Sequence, residues 1–504
     1  MRAALAAVLL LWSVSAGMAA SAPVPVFQVQ MAAAVFGTAF GFIQSRSLEE
    51  ATVAQIALWG LDGLNALDSD LSVERREGLL HLLQGGRTVH QRGAPAGDAG
   101  QDWGAATADV ASAAWTVSAR VREAGTQGII TAVFEEVFNR LDPYSRYVAP
   151  ALADVDRARR SGDAGAGLEL DQVGGAIVVR TVNADGPGGE AGIQPGDRIM
   201  AVDGQPVRNA SLDTVQDWIS GVEGTEVRLT VRDRRGRIRV VPVERAVVPP
   251  ETVFVQVLAD VIVLRVAGFS ADTDQRLAHE LERSAALGGR ARGLVLDLRG
   301  NRGGLLRQAV AATDLLLVGG VVARTEGRHP NAAGEYRATE GDLAAGRPIV
   351  VLVDGRSASA AEVMAAALAD GRRAVVVGST TLGKGLVQTI ATLPDGGELF
   401  VSWRRILAPS GWPIQGLGVL PQLCTSLGPD ATAQQLASLG RGTSRMAAAL
   451  AKHHAARAPV QSADVVDMRA ACPAADGRDA DLAAARALLG NPKAYAAALL
   501  PALP

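Results

Sequence analysis

The sequence predicts a multidomain α/β protein with a helical N-terminal region, a small β-rich domain, an α/β domain with a largely parallel sheet, and a helical C-terminal tail. Three observations predict this order. The chain has 504 residues, which is more than one ordinary domain holds. Near Gly165 the hydrophobic pattern changes from a helical to an alternating period. From about Val253 to Leu420, apolar strands alternate with helices.

The composition excludes several classes of protein. Hydrophobic residues make up 48% of the chain and charged residues 20%, which suffices for buried cores and excludes wholesale disorder. Lysine and arginine total 49 against 52 acidic residues, so the chain lacks the basic excess that binding to nucleic acid requires. None of the six histidines stands in a metal-ligand spacing, and two cysteines cannot build a metal site. We expect no metal, no cofactor and no nucleic acid partner.

The first 22 residues are typical of a secretory signal. Arg2 precedes an apolar run from Ala3 to Val14, and small residues suited to cleavage follow. We therefore expect export. The alternative is an uncleaved membrane anchor, although the apolar run is shorter than the roughly 20 residues that a spanning helix needs.

Residues 30–150 have a mostly helical pattern. A Gly/Ala-rich stretch, residues 90–106, interrupts it and predicts a loop or linker. Two segments, starting at Thr52 and Thr126, resemble each other because both are amphipathic and end in Leu-Asp. They are either convergent helix patterns or a small internal duplication.

Residues 160–246 form the β-rich domain. Apolar side chains alternate with polar ones in four segments, and turn residues such as Pro195-Gly196 separate them. A helix is predicted over Leu212–Ile219. The predicted strands are Ala176–Val182, Arg198–Asp203, Val227–Arg232 and Ile238–Val243.

Residues 250–430 form the α/β domain and residues 431–504 the helical tail. Continuous apolar strands such as RPIVVLVDG indicate a sheet that helices cover on both faces. Loops at the ends of such strands are where functional sites usually form. In an exported protein, the pair Cys424 and Cys472 predicts a disulfide that ties the tail to the end of this domain.

Three strand-to-helix loops in the α/β domain contain candidate chemistry. In the first, Ser359 and Glu362 spell S-x-x-E, which is typical of a helix cap, but a serine there is also well placed as a nucleophile. The second, residues 378–385, nearly spells the phosphate-binding pattern GxxxxGK[ST], but Gly385 lacks the final hydroxyl. The third, residues 299–304, is a Gly-rich turn whose amides could face a developing negative charge.

Lysine is rare in this chain, which makes Lys384 notable. Only three lysines occur, at positions 384, 452 and 493, and only Lys384 lies in an apolar stretch. A serine nucleophile needs a base, and no histidine or aspartate is patterned for a conventional triad. An ordinary lysine, with a pKa of about 10.4, can serve as a base only where its surroundings favour the neutral amine.

Taken together, the motifs resemble the carboxy-terminal processing proteases, which are Ser/Lys peptidases with a PDZ domain. The PDZ-like segment is AGIQPGDRIMAVDGQPV, from Ala191 to Val207. The resemblance covers Leu141 to Pro421, through LDPYSRY, LDLRGNRGGLL, VDGRSASAAE, TTLGKGLVQT, APSGWPI and GLGVLP. It implies a serine endopeptidase of the periplasm that recognises protein substrates by apolar C-terminal tails. It also allows a homo-oligomer and an envelope adaptor as partners.

By the same resemblance, the nucleophile is Ser359, the general base Lys384 and the supporting amide Gln388. The amides implied for the oxyanion hole are those of Ala360 and of Gly303 or Gly304, and Asp370 is implied as an acidic residue near the site. The implied loop for the peptide carboxylate is Gly165, Ala166, Gly167 and Leu168.

Arg302 departs from the family pattern, which usually has Pro or Gly at this position. It places a bulky charge beside the oxyanion glycines. The alternative function is therefore a catalytically silent scaffold that binds peptides on a protease frame.

Overall fold

The computed structural model describes residues 26–153, 164–183, 186–247, 251–287, 291–339 and 341–501. The predicted signal segment, residues 1–22, lies outside the described residues. Within the described ranges, no helix is both long enough and apolar enough to span a bilayer.

The N-terminal region is helical, but it also contains an antiparallel sheet of three strands that the sequence did not predict. The strands are β1 (Leu71–Arg76), β2 (Leu79–Gln84) and β3 (Arg87–Gly93), paired in the order β1-β2-β3. The helices are α1 (Val29–Arg46), α2 (Val53–Leu61), α3 (Gly63–Leu67), α4 (Gly100–Val117) and α5 (Ala119–Asn139).

The loop predicted over residues 90–106 is wrong except at its centre. Its first residues belong to β3, and α4 begins at Gly100. The small residues serve close packing of α4 on α1: a Cβ on Gly104 would lie 2.3 Å from the Gly37 amide nitrogen. Trp103, only 1% exposed, anchors this helix in the N-terminal core. Glycine here permits a helix contact and does not mark a loop.

The β-rich domain is one antiparallel sheet with the order β11-β10-β8-β7-β6, to which β9 adds by pairing with β8. Alternation positions its core, since Val227, Leu229 and Val231 are fully buried. The strand Ala176–Val182 and the helix Leu212–Ile219 have the predicted bounds. The elements are β5 (Ala164–Gly165), β6 (Leu168–Val173), β7 (Ala176–Val182), a short helix (Pro187–Glu190), β8 (Arg198–Val202), β9 (Gln205–Pro206), the helix Leu212–Ile219, β10 (Glu226–Arg232), β11 (Ile238–Glu244) and β12 (Ala246–Val247).

The α/β domain contains a six-stranded sheet in the order β13-β14-β15-β18-β19-β22, which is parallel except at β13. Every residue of β15, β18 and β19 is buried, as predicted for a sheet covered on both faces. Its strands are β13 (Val253–Val257), β14 (Val261–Val266), β15 (Gly293–Asp297), β18 (Ile349–Val353), β19 (Ala374–Gly378) and β22 (Leu423–Cys424). Its helices are Thr273–Leu287, Leu306–Asp314 and Ala360–Asp370, the last of which we name the serine helix.

A second, antiparallel sheet lies beside the first and was not predicted. It has the order β17-β16-β21-β20, and β4 of the N-terminal region pairs with β21. The N-terminal region therefore contributes a strand to the domain that carries the candidate site. The strands are β4 (Arg146–Val148), β16 (Gly320–Glu326), β17 (Gly334–Ala338), β20 (Leu386–Thr392) and β21 (Glu398–Leu407), and a 3-10 turn spans Pro330–Ala332.

The C-terminal tail is helical and is fastened to the α/β domain. A disulfide joins Cys424 to Cys472, and both cysteines are fully buried. Beside it, the Thr380 hydroxyl donates to the Cys472 carbonyl at 2.5 Å. The tail helices are Pro429–Arg441, Ala447–Ala455, Ser462–Ala470, Asp479–Leu489 and Pro492–Ala498.

Candidate active site

Ser359 occupies a strained turn between β18 and the serine helix. Its φ of +57° and ψ of −119° lie in a region that side-chain-bearing residues rarely adopt, and such strain concentrates at functional sites. Ser359 and Glu362 hold the predicted capping arrangement, but the Ser359 hydroxyl falls short of a capping hydrogen bond. Ser359 is therefore the N-cap residue by position, while its hydroxyl makes no capping hydrogen bond and is available to react.

Glu362 joins the turn at Ser359 to residues 378–385, which we name the lysine loop because they contain Lys384. Its carboxylate is fully buried and accepts hydrogen bonds from the Ser359 amide at 2.7 Å and the Lys384 amide at 2.9 Å. The Thr381 hydroxyl and the Gly383 amide donate to its other oxygen at 2.5 and 2.7 Å. Burial raises the pKa of Glu362, although these four hydrogen bonds act in the opposite direction. The sequence indicated only the capping contact of this residue.

Lys384 and Gln388 both face Tyr144, a residue of the LDPYSRY segment. Lys384 Nζ lies 5.2 Å from the centroid of the Tyr144 ring. Gln388 Nε2 donates to the Tyr144 carbonyl and not to Lys384, which the family resemblance implies that this amide supports. β20 has a bulge between Val387 and Gln388. Among the described contacts, Lys384 has no hydrogen bond to Ser359.

The turn that carries Tyr144 is held by Asp142. The Asp142 carboxylate accepts from the Tyr144 and Ser145 amides, each at 3.0 Å, and from the Ser402 hydroxyl of β21 at 2.7 Å. The Ser145 hydroxyl adds a further bond at 2.5 Å. Sequence reasoning did not assign Tyr144 a role, and the motif that contains it was the only sign of one.

The candidate oxyanion amides differ in what they already bind. A Cβ on Gly303 would lie 2.9 Å from Ser359 Cβ, so this loop touches Ser359. The Gly303 amide donates to Asn301 Oδ1 at 2.8 Å. In the described part of the chain, the amides of Gly304 and Ala360 have no protein acceptor. The choice between the two glycines, which the sequence left open, therefore favours Gly304.

Asp370 does not lie beside the nucleophile, contrary to the sequence expectation. It ends the serine helix, and 11 residues at about 1.5 Å each put it about 16 Å from Ser359. Its carboxylate accepts from the Ser410 hydroxyl at 2.6 Å and from His454 at 3.1 Å. Burial opposes its charge, but these bonds and the charge of His454 hold the pKa of Asp370 below its ordinary value.

The predicted carboxylate loop connects β5 to β6. Gly165 pairs with Ala246, and Leu168 is the first residue of β6. Between them, the buried Ala166 accepts from the Gly188 amide at 2.7 Å, and Gly167 adopts a φ of +68°. The bond to the Gly188 amide uses a carbonyl oxygen of the loop.

Within the described residues, no cluster of three or more His, Cys, Asp or Glu could hold a metal ion.

Comparisons with known proteins identify the family of the α/β domain and of the β-rich domain. The family model Peptidase family S41 matches residues 260–424, and the model PDZ domain matches residues 178–233. The carboxy-terminal-processing protease of Bartonella bacilliformis is 35% identical over 304 residues, which cover 59% of this chain and 69% of that protein. The carboxy-terminal processing protease CtpA of Bacillus subtilis is 32% identical, over 57% of this chain and 62% of that protein. Among solved structures, a photosystem II D1 C-terminal processing protease matches with a TM-score of 0.42 and 24% identity, over 81% of this chain and 97% of that one.

The α/β domain and the PDZ domain define a serine-type peptidase. With 35% identity over more than two thirds of the Bartonella relative, the chain belongs to the carboxy-terminal processing proteases of peptidase family S41. The predicted family, fold class and enzyme class are thereby confirmed. The chain is a protease that acts on peptides or proteins.

Proposed function

We propose that this protease is an exported endopeptidase that cuts proteins recognised through apolar C-terminal tails, with Ser359 as nucleophile and Lys384 as general base. The observation that carries the proposal is the buried carboxylate of Glu362, which binds the Ser359 and Lys384 amides through one oxygen. A nucleophile and a base on separate loops must keep a fixed separation, and this carboxylate supplies the fixation.

In the proposed reaction, neutral Lys384 takes the proton from Ser359 Oγ as that oxygen bonds to the scissile carbonyl carbon. The amides of Ala360 and Gly304 donate to the oxyanion. The C–N bond then breaks, and the Lys384 ammonium protonates the leaving amine. Water, deprotonated by Lys384, hydrolyses the acyl ester and restores the serine.

The proposal requires two side chains to turn from their present partners. Lys384 Nζ faces the Tyr144 ring, and Gln388 donates to the Tyr144 carbonyl. A lysine side chain has several rotatable bonds, so its amine can leave the ring without movement of the backbone. Gln388 is the proposed donor that steadies the neutral amine, because an amide orients it without adding charge.

For substrate recognition, we assign the PDZ domain to the C-terminal tail of the substrate. Such domains add a peptide as a strand, and backbone amides of a loop hold its carboxylate. The loop from Gly165 to Leu168 is suited to this role because the carbonyl oxygens of Ala166 and Gly167 accept hydrogen bonds, while their amides have no acceptor among the described residues and are left for a ligand. Export is proposed from the signal-like N-terminus and from the disulfide, which persists in oxidising compartments.

The test is intact-mass analysis of an unfolded protein with an apolar C-terminus after incubation with the chain and its variants. We expect fragments from the native chain and none from Ser359→Ala or Lys384→Arg. Lys452→Arg is the matched control, since Lys452 is exposed and pairs with Asp467. Cleavage by Ser359→Ala would refute the nucleophile, and full activity of Lys384→Arg would refute a neutral lysine base.

A further inference from the structure

Arg302 lies on the loop that touches the nucleophile and has an uncompensated charge. In the described part of the chain, its side chain is exposed and has neither a hydrogen bond nor an ion pair. Its neighbours differ. Arg299 pairs with Asp297 at 2.7 Å and with Asp481 at 3.2 Å. Arg356 lies 3.7 Å from the buried Asp354. The chain thus neutralises arginines around this loop but leaves Arg302 to solvent.

The backbone on both sides of Arg302 is fixed. Asn301 is fully buried, its side-chain amide donates to the Val266 carbonyl at 2.8 Å, and its own carbonyl accepts from the Ala358 amide at 2.9 Å. The Gly303 carbonyl accepts from the Phe269 amide at 3.1 Å. A residue held between two such anchors keeps its Cα in place, so the position of Arg302 relative to the site does not depend on loop motion.

This fixed position is next to the reacting atoms. A Cβ on Gly303 would lie 2.9 Å from Ser359 Cβ and 3.0 Å from the Ala360 amide nitrogen. Consecutive Cα atoms are about 3.8 Å apart, so the Arg302 side chain starts within one residue of the proposed oxyanion site. A substrate bound at Ser359 therefore lies within reach of a long side chain that starts one residue away.

The chemistry of the group determines what it can bind. A guanidinium stays protonated at physiological pH and presents a planar set of donors that matches a carboxylate. Arginine–carboxylate bonds are charge-assisted and often bidentate. Because no carboxylate in the described part of the chain pairs with Arg302, a carboxylate of the substrate can bind it without first breaking an ion pair among these residues.

We infer that Arg302 is a specificity residue that binds a substrate carboxylate close to the scissile bond, supplied by an acidic side chain or by the chain terminus. This inference rests on the proposed function. It adds to tail recognition a second selection, which acts at the bond that is cut.

The test compares kcat/KM for short peptides of one sequence that differ in a single group. In the first arm, Asp and Asn alternate at each position near the cut, and all peptides end in an amide. In the second arm, all side chains are neutral and the terminus is an acid or an amide. We expect the native chain to prefer the carboxylate by about tenfold in one arm, which identifies its source, because hydrogen bonds to charged groups are the stronger class.

Three variants decide whether Arg302 causes the preference. Arg302→Gln should bring the ratio close to one, and Arg302→Glu should invert it toward a peptide with Lys in place of Asp. Arg307→Gln, which removes an exposed arginine five residues further on, should keep the native ratio and the native rate. The preference should also weaken as salt is added, since the guanidinium is exposed.

Failure of this inference differs from failure of the proposed function. If the native chain cuts the peptides in a Ser359-dependent manner but shows no carboxylate preference in either arm, Arg302 is not a specificity residue. The same conclusion follows if Arg302→Glu retains the native preference. If the native chain cuts none of the peptides and no unfolded protein, the proposed function itself fails.

Discussion

His453 should make the stability of this protease fall in mild acid. It lies on the tail helix Ala447–Ala455 and is 1% exposed. Its Nε2 bonds the Gly418 carbonyl at 2.9 Å, while its Nδ1 is buried without a partner. Burial first, and then the positive charge of His454 and Arg469, lower the pKa of His453 to about 3.

The magnitude follows from linkage. Histidine in an unfolded chain has a pKa of about 6.5, so below that pH the unfolded state binds a proton that folded His453 does not bind. The folded pKa is depressed for a base, so the stabilisation is present above 6.5 and is lost as pH falls toward about 3. At about 1.36 kcal/mol per pH unit, lowering the pH from about 6.5 to about 5 costs about 2 kcal/mol.

Two neighbours of His453, His454 and Asp370, also titrate, but neither lowers the free energy of unfolding between pH 7 and pH 5. Burial would lower the pKa of His454, but its hydrogen bond to Asp370 and the charge of that carboxylate raise it above the ordinary value. A raised folded pKa gives a stabilisation that grows as pH falls, so His454 acts in the opposite direction and cannot produce the predicted loss. Asp370 has a lowered pKa, so it affects stability only in stronger acid.

The assay is urea unfolding of the intact chain near pH 7 and near pH 5, in which the transition of the α/β domain is followed. All proteins carry Ser359→Ala, which prevents self-cleavage. His453→Gln retains an N–H for the Gly418 carbonyl but does not titrate. We expect the parent to lose about 2 kcal/mol more than His453→Gln between the two pH values. His279→Gln, at an exposed position of the helix Thr273–Leu287, is the control and should keep the parent's loss over this range. An equal loss in parent and His453→Gln would refute the reasoning.

Three further outcomes are expected. In Glu362→Gln, the new NH2 group faces two hydrogen-bond donors in place of a carboxylate oxygen. This variant should lower kcat at least about tenfold and the free energy of unfolding by about 1–3 kcal/mol. A native kcat would show that the carboxylate does not position the site. Reduction of the Cys424–Cys472 disulfide, whose sequence separation is 48, should cost up to about 4 kcal/mol in urea unfolding, and an unchanged midpoint would contradict its stabilising role. Tyr144→Ala should reduce kcat more than it alters KM, because the ring contacts Lys384, the proposed base; a change in KM alone would assign Tyr144 to substrate binding.

The sequence predicted the elements whose periods are regular. β7 and the helix Leu212–Ile219 were predicted to the residue, because alternation and a helical face report burial directly. The parallel sheet was predicted from its fully apolar strands. Lys384 was recognisable because it is the only lysine of the sequence in an apolar stretch. The pattern around Ser359 alone is typical of a helix cap, and only the family motifs identified this serine as a nucleophile.

The contacts that the sequence could not predict join segments far apart in the chain. Tyr144 contacts Lys384 at a sequence separation of 240, and no local pattern specifies a contact of that kind. β4 likewise joins the second sheet by pairing with β21. The small residues at the start of α4 predict a loop because a linker and a close helix–helix contact are both rich in glycine. Composition alone does not distinguish the two.

The serine helix makes the tail part of the catalytic domain. All 11 of its residues are buried, with Glu362 bound to the lysine loop near one end and Asp370 bound to His454 of the tail at the other. Thr380, in the lysine loop itself, donates to Cys472 of the tail. Removal of the tail would leave the charge of Asp370 without His454 and the Thr380 hydroxyl without its acceptor, which is costly in a buried setting. We therefore expect that residues 260–424, although they carry the family match, do not fold without the tail.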